Sequence, residues 1–330
     1  ALTDKLYQIS DGSPTINLAG AFTDPENQAM TYTTSASISG VVNPSVSGNT
    51  LTLNIVGGGT TTITIEATDV AGCKRSQAFQ VVINRPPVLA QTISNQTLIY
   101  ADAPFVINDL ATFFTDPDGN AMTYSLDANP VGVVVMDRTG NQVTFSASDI
   151  NTTTVTITAN DGRGGSISTN FIITVNKGNQ IITFNPITTK FVDESPVTLI
   201  ANSNRNLPVT FSIVSGNATL SGNTLNFNQS GTITVRASQT GNYYFNPAVS
   251  VEQTFLVTKR DQTIIFEQIE DKIITENSFD LEATATSNLP VTFELISGNA
   301  TLSQKNLILN DLGYITIRAS QAGNNVYNAA

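Results

Sequence analysis

The sequence has no histidine, no tryptophan and a single cysteine in 330 residues. Without histidine there can be no Ser-His-Asp triad, no Cys-His pair, no HExxH zinc site and no histidine-ligated iron or copper. The lone Cys73 cannot close an intramolecular disulfide, which leaves a free thiol or a bond to another chain. In "VAGCKRS" it reads as a small residue of a polar turn. Charge is also scarce: 12% of residues are charged, about half the roughly 25% usual for soluble domains. The 15 basic residues are scattered and the net charge is -11, so there is no basic stripe for nucleic-acid phosphates or an anionic membrane surface. No segment approaches the ~18 consecutive apolar residues of a membrane span. The first ten residues, "ALTDKLYQIS", lack the basic start and apolar run of a signal peptide. A chain of this kind, acidic, lysine-poor and rich in Thr, Ser and Asn, is expected at a cell surface or outside the cell, as a mature or excised segment.

What is present is repetition. "FTDPENQAMTY" at 22 to 32 returns 92 positions later as "FTDPDGNAMTY" at 114 to 124, and the same shift carries Asp69 of "ATDVAG" onto Asp161 of "ANDGRG". A second family follows with a shift of 82: "NQIITF" at 179 and "DQTIIF" at 261, "LPVTF" at 207 and 289, "RASQTGN" at 236 and "RASQAGN" at 318. Self-similarity at a fixed period marks tandem units, and the boundaries expected are 1-86, 87-177, 178-259 and 260-330. Each unit carries a mid-point signal, "GNTLTL" at 48, "GNQVTF" at 140, "GNTLNF" at 222 and the divergent "QKNLIL" at 304. Gly-Asn before alternating apolar residues predicts a tight hairpin entering a half-buried strand.

No segment sustains a 3.6-residue apolar period, whereas β-branched residues alternate with Thr, Ser and Asn throughout. The fold class expected is therefore all-β: four tandem immunoglobulin-like or cadherin-like β-sandwiches in an elongated array. With no Trp and no inter-sheet disulfide, Val, Ile, Leu and Phe must fill the cores. The joints are short, "NRPPVL" at 84, "NKGNQ" at 176 and "TKRDQ" at 258, and paired prolines stiffen the first. The 82-residue shift places Ala330 on Ala248, so the fourth unit lacks a counterpart of "VSVEQTFLVTK". Either the parent chain continues or a partner strand fills the place by β-augmentation.

These residues also carry resemblances. "FTDPDGNAMTYSL" with "VTITANDGRGGSISTNFIITV" resembles the cadherin-like, dystroglycan-type repeats of large bacterial surface proteins over residues 1 to about 177. "LPVTFSIVSGNATLSGNTLNF" and "ITVRASQTGNYYFNPA" make residues 178 to 330 similar to bacterial Ig-like repeats of secreted adhesins and cell-wall proteins.

The acidic motif is the chief candidate for chemistry. It is not an EF-hand loop: counted from Asp116, position 6 is Ala121 and position 12 is Asp127, where Gly and a bidentate Glu are needed. The cadherin resemblance implies instead a calcium joint, with Asp116, Asp118 and Asn120 from one loop, Asp161 from another and carbonyls near Asn84 and Arg85. The linker supplies few ligands, so one Ca²⁺ with water in its shell is the most expected there. Asp24, Glu26, Gln28 and Asp69 are the poorer equivalents in the first repeat. The competing reading is a polar turn with side-chain-to-backbone hydrogen bonds.

Other features compete more weakly. "GGG" at 57 to 59 opens a strand rather than a helix, so it reads as a flexible turn and not a phosphate cradle. In "GNYYFNPA" the fourth unit keeps an aromatic at one place only, Tyr327 for Phe245, which leaves Tyr243 and Tyr244 as ligand candidates. Asp280, Glu282 and Glu294 alternate with apolar neighbours as solvent-facing strand positions do, so no glycosidase-type carboxylate pair is expected. The function expected is a non-enzymatic stalk or adhesion segment, monomeric within a longer bacterial surface or secreted protein. The alternatives are a carbohydrate- or protein-binding module using the loop aromatics, and an accessory segment of a secreted polysaccharide-degrading enzyme.

Overall fold

A computed structural model describes all 330 residues, which fall into two compact units, Ala1–Gly178 and Asn179–Ala330. Apart from four single turns of 3-10 helix, every regular element is a strand.

Within the first unit, two sandwiches follow one another. In the first, the long strands Gly59–Thr68 and Lys74–Asn84 pair antiparallel, Thr31–Ala36 flanks one side, and Lys5–Gln8 adds in parallel on the other. Thr15–Asn17, Thr50–Ile55 and Val42–Ser47 form the facing sheet. The second sandwich repeats the plan with Thr123–Asn129, Thr152–Asn160, Ser166–Asn176 and a parallel Gln96–Ile99 against Phe105–Ile107, Gln142–Ala147 and Val134–Thr139. Period-2 alternation explains the layering: along Thr152–Asn160, Val155, Ile157 and Ala159 are fully buried while the threonines between them reach the surface. Phenylalanines fill the centre of this core: Phe145 stacks on Phe105 at 5.7 Å and meets Phe171 edge-on at 5.7 Å.

The hairpins fall where the Gly-Asn pairs predict them. Ser47 pairs with Thr50, Thr139 with Gln142 and Ser221 with Thr224, so each loop has two residues. Positive φ occurs only at the first of the two, Gly48, Gly140 and Gly222, the pattern of a II′ turn. The divergent fourth loop does the same with Gln304 at φ 55°.

In the second unit, the strand order Lys190–Phe191, Val251–Thr258, Gly231–Ser238, Thr210–Ser215 faces Val197–Thr198, Thr224–Phe227 and Ala218–Ser221. The last sandwich has Thr292–Ser297 paired with Thr316–Ser320, facing Ser278–Asp280, Asn306–Leu309 and Ala300–Ser303, and no strand equivalent to Val251–Thr258. The consequence is visible in burial. Ile233, Val235 and Ala237 are at most 1% exposed, whereas their counterparts Ile315, Ile317 and Ala319 are only half-buried.

Each sandwich of this unit also holds a buried polar plug. The Gln180 amide donates to Gln239 Oε1 and to the Asn246 carbonyl at 2.7 Å, and accepts from Ser203 Oγ at 2.8 Å. Gln262, Gln321, Asn328 and Ser287 repeat this bond for bond. The "NQ", "DQ" and "ASQ" pairs that mark the 82-residue repeat are thus interior groups whose donors and acceptors must be met internally.

Candidate functional site

The first joint is assembled by strand register. Asn84 ends the strand Lys74–Asn84 and pairs in parallel with Gln8. Beyond the two prolines, Val88–Leu89 pairs antiparallel with Phe114–Thr115, which draws the loop from Asp116 to Asn120 against the linker. Thr123 and Asn160 are partners on neighbouring strands, so the loop holding Asp161 lies beside it.

Asn84, 1% exposed, is the hub. Its amide nitrogen donates to Asp161 Oδ2 at 2.6 Å and to Gln8 Oε1 at 3.0 Å, and its Oδ1 accepts from Asn120 Nδ2 at 3.1 Å. These neighbours fix the amide's orientation, because the reversed group would aim oxygen at a carboxylate. Asp161, 3% exposed, also accepts from the backbone N–H groups of Arg163 and Gly165 at 2.8 and 2.9 Å. Burial by itself would raise its pKa, but the bonds from Asn84, Arg163 and Gly165 outweigh burial and hold the carboxyl below the ordinary 3.8. A Cβ on Gly165 would run into Asp161 Oδ2 and lie 2.7 Å from Pro86 Cα, so only glycine permits this approach.

Arg85 is the second half of the joint. Its backbone N–H donates to Asp118 Oδ2 at 2.6 Å, its Nε to Oδ1 at 2.8 Å and its Nη2 to the Pro117 carbonyl at 2.7 Å. On the other side its stem lies on the first sandwich, where a Cβ added to Gly58 would meet Arg85 Cδ at 2.5 Å. The three glycines are therefore not a loose turn. Gly57 would strike the Gly40 carbonyl at 2.7 Å, Gly58 makes room for Arg85, and Gly59 at φ 128° begins a strand. Sequence reasoning missed Gln8, Gly58 and the role of Arg85; the glycine runs at 57–59 and 164–165 were the available signal.

The expected ligands are thus brought together, but most of their oxygens are taken. Asp118 is engaged at both oxygens by Arg85, and Asp161 at both by Asn84 and two backbone groups. Asp116 Oδ1 accepts from Asp118 N, Asn120 N and Asn120 Nδ2, and only its buried Oδ2 has no partner. Calcium needs about six to eight oxygens, and no group of three or more carboxylate or thiol side chains is placed to hold a metal. A guanidinium 2.8 Å from Asp118 also opposes a second cation. In this arrangement the residues do not fit Ca²⁺.

In the first repeat each carboxylate serves its own loop. Asp24 Oδ1 accepts from Glu26 N and Gln28 N at 2.7 and 3.2 Å, Glu26 accepts from Gln28 Nε2 at 2.9 Å, and Asp69 accepts from Cys73 N at 2.8 Å. Cys73 itself is an exposed free thiol. Tyr243, 58% exposed, meets Tyr244 edge-on with centroids 4.9 Å apart. Asn242 Oδ1 shapes their loop by accepting from the backbone of Tyr244 and Phe245, as Asn324 does for Val326 and Tyr327.

The joint inside the second unit also has an arginine. Arg260 Nε donates to Asp193 Oδ2 at 2.7 Å with its guanidinium 4.2 Å from the centre of the Phe191 ring, both in the third repeat. Its backbone joins the fourth, donating to the Val326 carbonyl at 2.7 Å and accepting from Asn328 N at 2.8 Å. The hydrogen bond to Arg260 holds the Asp193 carboxyl below its ordinary value.

Paired sheets in sequence, with a pinned linker inside each unit, define a chain of tandem immunoglobulin-like and cadherin-like repeats. Residues 84–176, which span nearly all of the second repeat, match the bacterial Ig domain family. No curated protein matches the chain. Solved structures similar to it include protocadherin gammaB7 EC3-6, 13% identical over 97% of this chain and 95% of that one, TM-score 0.31. The I67–I69 I-band fragment of titin is 14% identical over 78% and 96%, TM-score 0.38. The human desmocollin-1 ectodomain is 11% identical over 93% and 74%, TM-score 0.32. No helix is long and apolar enough to cross a membrane.

Proposed function

We propose that this chain is a non-enzymatic stalk or adhesion segment of a bacterial surface or secreted protein, with the work of holding another module away from its anchor. The observation that carries this reading is the pinned joint. Asn84 and Arg85, in a linker of a few residues, are tied to both of their flanking sandwiches, as a spacer that must keep its form under load requires. The sequence has no histidine, so histidine-based catalysis is not open to it. Acidic, lysine-poor surfaces suit an extracellular setting. Calcium has no step in this proposal, because most of the carboxylate oxygens the cadherin resemblance implies are engaged by backbone and side-chain donors of the protein. Small-angle scattering on the 330-residue chain tests it: a maximum dimension close to that of four sandwiches end to end is expected, and the radius of a compact globule would overturn it.

A second reading has one observation in its favour, the edge-on pair Tyr243 and Tyr244 on a loop of the third repeat. Exposed aromatic faces of this kind can seat sugar rings or a protein surface. Binding on a glycan array that disappears in the double variant Tyr243→Ala, Tyr244→Ala would establish it, and an array with no signal would end it.

A further inference from the structure

We propose that the joints at Arg85 and Arg260 are calcium-independent latches in which a linker arginine stands in the place of the metal ion. The need is plainest at the first joint, and at the second Arg260 meets a single acid, Asp193. Where two sandwiches abut, loops bring carboxylates together, and their charge must be neutralised before the ends can pack. A divalent cation does this with oxygen ligands. Arg85 does it with a planar fork whose donors match a carboxylate, and it adds a backbone N–H to the same Asp118.

The arginine also has what an ion lacks, a stem. Arg85 lies over Gly58 of the first sandwich while its head holds Asp118 and the Pro117 carbonyl of the second. A single side chain thus spans the boundary. Asn84 completes the substitution at the other oxygen cluster. Its amide hydrogens lie between Asp161 Oδ2 and Gln8 Oε1, as a bridging cation would.

The second joint reaches the same result with the directions reversed. There the side chain of Arg260 turns back, to Asp193 and the face of Phe191, and its backbone reaches forward to Val326 and Asn328. Lys259 adds a bond from Nζ to the Asn324 carbonyl at 2.5 Å. The linker sequences differ and so do the acids, yet in both a cation encoded in the linker is bonded across the joint. Two independent constructions of one kind are the reason for assigning the role to the arginine.

The inference concerns the joints alone, so a chain that proved compact in scattering would leave it standing. Spin labels on the native Cys73 and on Val131→Cys, both exposed, report the distance between the first two sandwiches in the full chain. A single narrow distribution is expected, unchanged between millimolar Ca²⁺ and excess chelator. Arg85→Ala should lose the narrow peak in both conditions, and Asp118→Asn, which keeps the shape and removes the charge, should do so as well. Circular dichroism with the wild-type strand signal shows that each variant is folded. Broadening of the wild-type distribution by chelator would overturn the proposal, and so would a folded Arg85→Ala chain whose distribution stays narrow.

Discussion

Asn84→Asp is the sharpest test of the first joint, because it changes one atom type and leaves the shape alone. It places a carboxylate oxygen where the amide nitrogen now lies 2.6 Å from Asp161 Oδ2. Two unit charges about 3 Å apart at an effective dielectric of about 20 repel by about 5.5 kcal/mol, a large part of the 5–15 kcal/mol that stabilises a domain. Retaining one proton on the pair costs less. At pH 7, protonating a group of ordinary pKa near 3.9 costs about 4 kcal/mol, at 1.36 kcal/mol per unit. The folded variant then binds a proton that the unfolded chain does not, so its folded pKa is raised. Stability accordingly rises as pH falls, by about 1.4 kcal/mol per unit, and levels off near pH 8 where repulsion and protonation cost the same. Native Asp161 behaves in the opposite sense: its pKa is lowered, its contribution is complete above 3.8 and is lost only as pH falls through the folded value. Native Asp161 therefore adds no slope between pH 5 and 8. Urea unfolding at pH 5, 6, 7 and 8 should show the variant's deficit shrinking toward acid. Adding Asp161→Asn exchanges the roles of the two groups, restores an amide-to-carboxylate bond and should abolish the slope. A deficit of constant size at every pH would refute the hub geometry.

The remaining predictions concern the sheets. Ile233→Ala should cost about 3 kcal/mol and its counterpart Ile315→Ala about half or less, because the first is 1% exposed and the second half-buried; equal losses in chemical denaturation would contradict the difference in burial. Gln304→Gly should raise stability by about 0.5 to 1 kcal/mol, since Gln304 holds φ 55° where the other three hairpins have glycine; a lower melting temperature would count against the II′ assignment. Gln180→Leu should destabilise by about 2 to 4 kcal/mol through the stranded Ser203, Gln239 and Asn246 groups, and Gln262→Leu should behave alike, both read by thermal unfolding.

The fold was legible wherever the determinants are local. Alternation along "TTVTITA" sets which face of a strand is buried, and Gly-Asn sets the hairpin, because a two-residue loop needs positive φ at one defined position. Gln304 shows that the surrounding strands, by their register, keep the turn even when the glycine is gone. The glutamine plugs were visible as repeats but not as interior groups, since polarity alone places Gln at the surface, and only the pairing of both partners at the 82-residue shift hints otherwise.

At the joint, the acids singled out in the sequence lie together, while the partner expected from the resemblance was Ca²⁺, with a polar turn as the alternative. Asp116, Asp118, Asn120 and Asp161 look the same whether a metal, a guanidinium or an amide neutralises them. The choice depends on where one arginine side chain goes, and that in turn depends on the space above Gly58, some 27 positions earlier in the chain. A glycine that exists to admit a side chain from a distant linker has no local signature. A turn glycine and a clearance glycine are one letter. What separates them is the register that carries Asn84 and Arg85 past the end of the strand Lys74–Asn84 and onto the next sandwich, so the cation that neutralises the joint is settled by packing between repeats rather than by the acidic motif itself.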